Sequence, residues 1–493
     1  MKEIKPYKVA LFVAGIFLVL TPIVYFIPSD GWKLGNFTVK FLTQEKMLHP
    51  VEQQKADITD LLANIDTTMN EDAPVSPSLI KHSNGSKGNM GAPSGGSEMV
   101  ESATDLLMNE TGKANLLKFF TALETAAADR KKISILHYGD SQIEGDRMTN
   151  FIRERIQNQF GGNGPGLIPA KNVYDTYAFN QTTSENFERY TAFGGSSLKS
   201  RKYGAMASAA RFTPEYTIDS TFNLDKLQET KGWIEISASG RAYTRARSFN
   251  NVKMHYNGCV APTFLRVLEN GKVIHEDSLI MDGKQHTVSL SFPSTPGKLR
   301  YEFTGKVSPN ICAFSLEGDY GVQVSNIGMR GSSGTVFTGM NQTVASAMYN
   351  ELNTRLVIMQ FGGNSVPFFK DSASVRNFAS FFKSQINTVQ RLNPNAMIIV
   401  IGPSDMSVFK DGQYESYKYL SYCVEQMIAV TKSSGGAYWN LYAAMGGNNS
   451  MPSWVEKGLA GKDYIHFSNG GTKIASQLFY NALMEAYNNR NSL

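Results

Sequence analysis

Cysteine is scarce in this chain. Cys259, Cys312 and Cys423 form an odd, widely spaced set, so at most one disulfide can form, and no C-x-x-C pair exists to hold zinc. Excess charge is lacking too, since 48 basic against 43 acidic residues leave a formal +5. No dense Lys/Arg cluster interleaves with aromatics, and a nucleic-acid partner therefore has no electrostatic footprint. His255, His275 and His286 are spread over separate segments, and nothing in their spacing argues for a metal. With 18% charged and 42% apolar residues, a disordered or fibrous chain is excluded in favour of globular protein. A length of 493 residues is too much for one ordinary core, and two or three folded units are expected.

Long apolar runs are also missing, with one exception. Lys2, Lys5 and Lys8 flank residues 9–27, an apolar stretch interrupted only by Gly15, Thr21 and Pro22. At about 1.5 Å per residue it spans roughly the hydrocarbon core of a bilayer. A secretory signal has a shorter apolar region, about 7–15 residues, and ends in small residues at a cleavage site. This run ends in Tyr-Phe-Ile-Pro. Residues 1–30 are thus expected to be an uncleaved transmembrane helix, with the lysines cytoplasmic and the rest of the chain extracytoplasmic, periplasmic or at the cell surface. Residues 31–100 are weakly patterned and include SNGSKGNMGAPSGGS at 83–97. They read as a flexible tether.

Residues 101–170 open with an expected helix over about 101–129, its apolar side carried by Leu106, Leu107, Leu116, Leu117, Phe119, Phe120 and Leu123. A strand-like run follows, ISILHY at 133–138. Helical spacing of Met148, Phe151, Ile152 and Ile156 then marks residues 146–160. Between 171 and 320 convincing helical stretches are absent. Runs at 233–237, 252–256, 263–268, 286–292 and 299–303, separated by Asn-Gly, Asp-Gly and Pro-Gly turns, describe an all-β, sandwich-like insertion. Alternation returns over 321–493, with strands at 322–327, 355–361, 396–401 and 437–441. Helices are expected at 335–353, 372–392, 414–433 and from 471. Strands joined through helices pair in parallel by right-handed crossovers, which makes residues 101–170 and 321–493 one interrupted three-layer α/β domain.

Four short pieces fall at strand ends or in loops on one rim of that sheet, where open α/β sheets place their ligands. The first is HYGDSQIE at 137–144. Gly139 lets the turn bend, Asp140 can brace it, and Ser141 projects a hydroxyl with its own N–H expected at a helix start, where an oxyanion is favoured. The second is SNIGMRGSSG at 325–334, whose Gly331 permits a backbone N–H to approach a ligand. The third is QFGGN at 360–364, whose Asn364 amide can donate to a developing oxyanion. The fourth is DYIHFSNGG at 463–471, where His466 would deprotonate Ser141 and Asp463 would hold the imidazole tautomer. Singly these are poor signals: by ordinary residue frequencies D-x-x-H arises by chance in nearly half of chains this long. Their order along the chain makes them a set.

At these residues the chain resembles the SGNH (GDSL-like) hydrolases. Ser141 matches the first block, Gly331 the second, Asn364 the third, and Asp463 with His466 the D-x-x-H block. The resemblance implies a flavodoxin-like α/β domain, catalytic Ser141, Asp463 and His466, an oxyanion hole from Ser141, Gly331 and Asn364, and no metal or organic cofactor. HYGDSQIEGDR with a long β insertion after it looks like bacterial peptidoglycan O-acetylesterases, which carry a carbohydrate-binding-module-like insert there. Two departures stand out: Ser365 follows Asn364 where the family usually has an acid, and Arg330 and Ser332 make the second block polar.

The expected function is removal of O-acyl, chiefly O-acetyl, groups from a cell-envelope carbohydrate such as peptidoglycan. The alternatives are acetyl transfer to a glycan by the same serine beside a membrane acyl-transfer partner, or a non-catalytic glycan-binding protein, against which the intact Ser141, Asp463 and His466 count. His137 is expected to be structural and Glu144 a solvated acid. Trp233, Arg241, Tyr243, Arg245 and Arg247 form a candidate sugar-stacking face, although strand aromatics more often pack in a core.

Overall fold

The computed structural model describes residues 6–26, 32–34, 37–39, 52–63 and 105–492. Most of the expected tether, including the Gly/Ser-rich stretch at 83–97, lies outside them. The chain divides into two units. The first comprises residues 1–55 with 408–415. It holds a helix over Pro6–Phe26 and an antiparallel hairpin of Trp32–Leu34 with Phe37–Val39, and the Gln53 amide both donates to and accepts from the Tyr414 backbone. No helix is long and apolar enough to cross a membrane when only the described residues are counted. Of the Pro6–Phe26 helix, side chains are described only for residues 7–16 and 18, so much of the expected anchor lies outside that count.

The second unit, Ala56–Ser407 with Ser416–Leu493, is built on a six-stranded sheet. Five strands are parallel: β1 (Lys132–Gly139), β2 (Gly321–Gly328), β3 (Thr354–Gln360), β4 (Met397–Ile401) and β5 (Ala437–Trp439), in the order β2-β1-β3-β4-β5. This is the flavodoxin-like order, whose ligand crevice opens where the chain reverses direction across the sheet, above β1 and β3. Because both faces are covered, the strands read as nearly continuous apolar runs. Successive side chains still divide between faces. Ile133, Ile135, Leu356 and Ile358 pack with the helices at Glu110–Ala128, Thr149–Phe160 and Asn469–Asn488. Leu136, Tyr138, Val357 and Met359 pack with those at Gln342–Glu351, Ser372–Leu392 and Leu420–Ser433.

The elements deviate from the sequence pattern where side chains cap or pair the backbone. Leu106–Met108 is a strand, antiparallel to β5, and the helix expected from 101 starts only at Glu110. The cause is Asn109, whose side chain accepts the Gly112 N–H at 2.9 Å and so fixes the helix start beyond it. Likewise Asn341 caps Val344, which delays the helix expected from 335 to Gln342. Asp371 and Ser374 form a reciprocal capping box at the start of Ser372–Leu392.

The insertion leaves after the Thr149–Phe160 helix and returns at β2. It is two packed antiparallel sheets. One runs His286–Ser291, Asn251–Asn257, Asn310–Glu317, Ser208–Arg211, Glu188–Thr191. The other runs Lys272–Ser278, Thr263–Glu269, Leu299–Gly305, Thr230–Ala238, Phe179–Thr183. Alternate residues such as Ile234, Ile236, Leu265, Val267, Phe303 and Phe314 fill the space between. Gly166–Pro169, ahead of residue 171, already pairs with the central strand of the first sheet. Cys259, Cys312 and Cys423 are free and buried.

Candidate active site

The site begins where β1 ends. A Cβ on Gly139 would stand 2.9 Å from the Ile143 side chain and 3.1 Å from the Gln360 carbonyl, so glycine lets β1 and β3 approach closely here. The next residue, Asp140, turns the chain by accepting the Gln142 N–H at 3.0 Å. Ser141 then presents its hydroxyl to His466 Nε2 at 2.9 Å. No helix starts at Ser141, which corrects the sequence expectation. Gly145 and Asp146 take φ of +68° and +69°, and the α-helix begins only at Thr149. Asp146 is held in that unfavourable conformation by a buried two-pronged ion pair with Arg153, at 2.6 and 2.9 Å. The helix dipole therefore cannot act at the Ser141 N–H.

Across the crevice, residues 460–468 make a loop closed on itself by backbone bonds from Gly461 to His466 and from Ser468 to Leu459. Asp463 organises it from within. One carboxylate oxygen accepts the Ile465 and His466 N–H groups at 3.1 Å each, and the other accepts from His466 Nδ1 at 2.7 Å. Burial alone would raise the Asp463 value, but these hydrogen bonds hold it below the ordinary carboxylate range. An ionised carboxylate only accepts, which assigns the imidazole proton to Nδ1 and leaves the Nε2 lone pair facing the Ser141 hydroxyl.

Two side chains join this loop to the nucleophile turn. Buried Gln142 donates to the Ile465 carbonyl at 2.8 Å and accepts the Phe467 N–H at 3.4 Å. Arg147 donates to the carbonyl oxygens of Ser141 and Phe467. Sequence reasoning did not single out either residue. The available signal was a Gln directly after the serine, where a surface position would tolerate any polar group.

The remaining donors come from β2 and β3. Gly331 takes φ of +76° in the turn after β2, a conformation that favours glycine. Among the described residues, the N–H groups of Ser141 and Gly331 have no hydrogen-bond acceptor. Asn364, in the 3-10 turn Gly363–Phe368, donates its amide to Asp140 at 3.2 Å and to the Ser332 carbonyl at 3.1 Å. Asp140 thus braces both the serine turn and the Asn364 side chain.

That brace has an electrostatic cost. Burial lifts the Asp140 value from 3.8 to about 6, against opposing bonds from Gln142 and Asn364 and the nearby His466 and Arg147 charges. An acid whose folded value is raised binds its proton more tightly folded than unfolded. Stability therefore falls as pH rises from about 4 through 6, by roughly 3 kcal/mol once Asp140 is fully ionised. Asp140→Asn removes that charge, but its oxygen stays on the Gln142 N–H and its NH2 meets the Asn364 NH2, so that bond is lost at about 1–2 kcal/mol. Thermal melts should show it more stable than the parent at pH 8, with the advantage gone by pH 4. A variant less stable at both values would refute a charged, strained Asp140.

Other residues flagged in the sequence lie elsewhere. His137 is fully buried between Thr149 and Gln360, and burial lowers its value to about 4, so it is a neutral core residue. Glu144 is not a solvated acid but pairs with Arg330 at 2.8 Å. In the insertion, Trp233 has the Arg300 guanidinium 4.1 Å above its ring. Arg241 pairs with Asp175, and Arg245 bonds Asn158, Gly162 and Asn163. Arg247 contacts Thr244 in its own turn. Trp233, Arg241, Arg245 and Arg247 are thus each engaged with a partner inside the protein. Among the described residues, no three His, Cys, Asp or Glu side chains are placed to hold a metal ion.

Ser141, His466, Gly331, Asn364 and Arg330 line one cleft of about 340 Å³. A carbonyl bound there would have a nucleophile, a base and convergent donors around it. No protein-family model and no curated protein matches the chain. Among solved structures it matches a peptidoglycan O-acetylesterase, at 19% identity and a TM-score of 0.57, over 76% of this chain and 96% of that one. It also aligns with a family two carbohydrate esterase from Clostridium thermocellum, at 11% identity over 54% of this chain and 94% of that one. That alignment's TM-score of 0.23 is too low to carry weight. The first match extends over nearly the whole of the other chain, and the two proteins share a fold, here the flavodoxin-like β2-β1-β3-β4-β5 sheet with its β insertion.

Proposed function

We propose that the chain is an extracytoplasmic serine esterase that removes O-acyl groups, acetyl foremost, from a cell-envelope carbohydrate. The observation that carries this reading is the continuous hydrogen-bonded line from Ser141 Oγ through His466 to Asp463. In the first step Ser141 Oγ bonds to the ester carbonyl carbon while its proton passes to His466 Nε2. Collapse of the tetrahedral species breaks the bond to the sugar oxygen, which takes that proton. Water then attacks the acyl-serine and gives a proton to His466, which passes it to the departing serine oxygen as the carboxylic acid is released and loses its remaining proton to solvent. The Ser141 and Gly331 N–H groups would stabilise the oxyanion in both steps, and the Asn364 amide would join them only by giving up its bond to Asp140 or to the Ser332 carbonyl. The name of the matched structure supports an O-acetylated glycan as substrate. The basic-flanked apolar run at 9–27 supports an extracytoplasmic head on a membrane anchor.

The test is acetate release by the full-length chain from O-acetylated peptidoglycan, with acetylated xylan as the comparison, alongside labelling by a serine-directed fluorophosphonate. Release from peptidoglycan together with single-site labelling is expected. Labelling with release only from xylan would keep the esterase and discard the envelope substrate. Neither labelling nor release would remove the enzyme reading altogether.

A further inference from the structure

Phe368 stands apart from the other apolar side chains of the cleft, such as Phe361, Met406 and Leu441, which are buried. It is 78% exposed, the largest value among the exposed large hydrophobic side chains of the described residues. Yet it lines the same cleft as Ser141 and His466. Leaving a phenyl ring in water forgoes burial, so a ring displayed beside reactive groups, rather than scattered on the surface, asks for a partner.

The backbone beneath it is firmly held. Phe368 is the last residue of the 3-10 turn Gly363–Phe368, the element that also carries Asn364. Its neighbours on both sides are anchored. Val366 is buried, and the Phe369 ring packs against Phe378 at a centroid distance of 5.7 Å. The Phe369 N–H bonds the Val366 carbonyl at 3.3 Å, and the Ser365 hydroxyl bonds that of Ser333 at 2.8 Å. Pro367 removes another degree of freedom just before the ring. Phe368 is therefore not a fraying loop tip. It is presented outward at a fixed offset of four residues from Asn364.

The direction of exposure decides between the two halves of an ester. The acyl carbon must reach Ser141, which is partly buried, whereas Phe368, lining the same cleft, is left almost wholly to solvent. A ring meant for an acyl chain would lie inside the cleft and be shielded. A ring on the rim fits a flat, weakly polar surface arriving from solvent, and the C–H face of a pyranose is one.

We propose that Phe368 is the platform on which the acylated pyranose lies while its ester reaches Ser141, making it a specificity-determining residue. This rests on the carbohydrate esterase reading above. The full-length chain and its Phe368→Ala and Phe368→Trp variants would be assayed by acetate release from O-acetylated peptidoglycan fragments and from ethyl acetate, which has no ring to stack. Covering about half the phenyl surface corresponds to roughly a tenfold effect. Phe368→Ala should therefore raise KM on the glycan about tenfold with kcat little altered, lower the glycan-to-ethyl-acetate ratio of kcat/KM by the same factor, and be rescued by Phe368→Trp. An equal fall on both substrates would make Phe368 a support for Asn364 and overturn the proposal. So would a loss seen only with ethyl hexanoate, which would put an acyl chain on the ring, or a self-association abolished by Phe368→Ala. Wild-type turnover of ethyl acetate reports on the esterase reading separately, so the two failures are distinguishable.

Discussion

Replacing Ser141 with alanine should lower kcat/KM for a small acetyl ester by about 10⁵-fold while leaving the fold intact. The expected size follows from what the hydroxyl does. In the proposed mechanism it is both the attacking atom and the proton donor to His466, so its loss would remove covalent catalysis and leave the imidazole without its partner. What remains is binding and the oxyanion donors, and such residues typically sustain about 10³–10⁴-fold over water. Stability should barely move, because the Ser141 side chain is only partly buried and its hydrogen bond is with a partly exposed imidazole. The measurement is acetate release under saturating enzyme, with a thermal melt of the same preparation. Combining Ser141→Ala with His466→Ala should cost little more than either alone, since the two act as a unit. A Ser141→Ala variant retaining a tenth of the parental rate would mean that another group carries the chemistry.

Much of the site was legible because its parts are short and local. A buried parallel strand must be apolar along its length, and the runs before Gly139, Gly328 and Phe361 announce β1, β2 and β3 without any tertiary information. The residues after them then fall on one rim by topology alone. What was not legible depends on contacts between distant segments. The delay of the helix to Thr149 needs Arg153 to pair with Asp146 and the Asp175 carbonyl to crowd Gly145, where a Cβ would come within 2.6 Å. Apolar periodicity over 146–160 carries no trace of either. Gln142 and Arg147 look like ordinary polar residues until the 460–468 loop is set against them. In the insertion, alternation marked strands such as Thr263–Glu269 well. The neighbouring edge strand Lys272–Ser278 is exposed along nearly its whole length, so it offers no buried face to give it a period.

Asp463→Asn should lower kcat by about 10³-fold with little change in KM, and the reason lies in the loop's own hydrogen bonds. Oδ1 of Asp463 accepts two backbone N–H groups, from Ile465 and His466. An asparagine here must keep its carbonyl oxygen toward those donors, since turning its NH2 to them would set donor against donor. The NH2 is then forced against His466 Nδ1. That nitrogen must accept, the ring proton moves to Nε2, and the atom facing Ser141 can no longer take its proton. The loop survives while the tautomer is wrong. Because Asp463 and His466 are 50% and 38% exposed, water competes for the ring, and the expected loss is set below the ~10⁴-fold typical of a buried triad acid. Asp463→Ala separates the two duties. It removes the acceptors as well as the charge, so it should loosen residues 460–468, raise KM and lower the melting temperature, none of which the asparagine should do. Equal KM and melting behaviour in the two variants would show that Asp463 holds the loop rather than the imidazole. A fall of less than tenfold for Asp463→Asn would show that His466 keeps its working tautomer without that carboxylate.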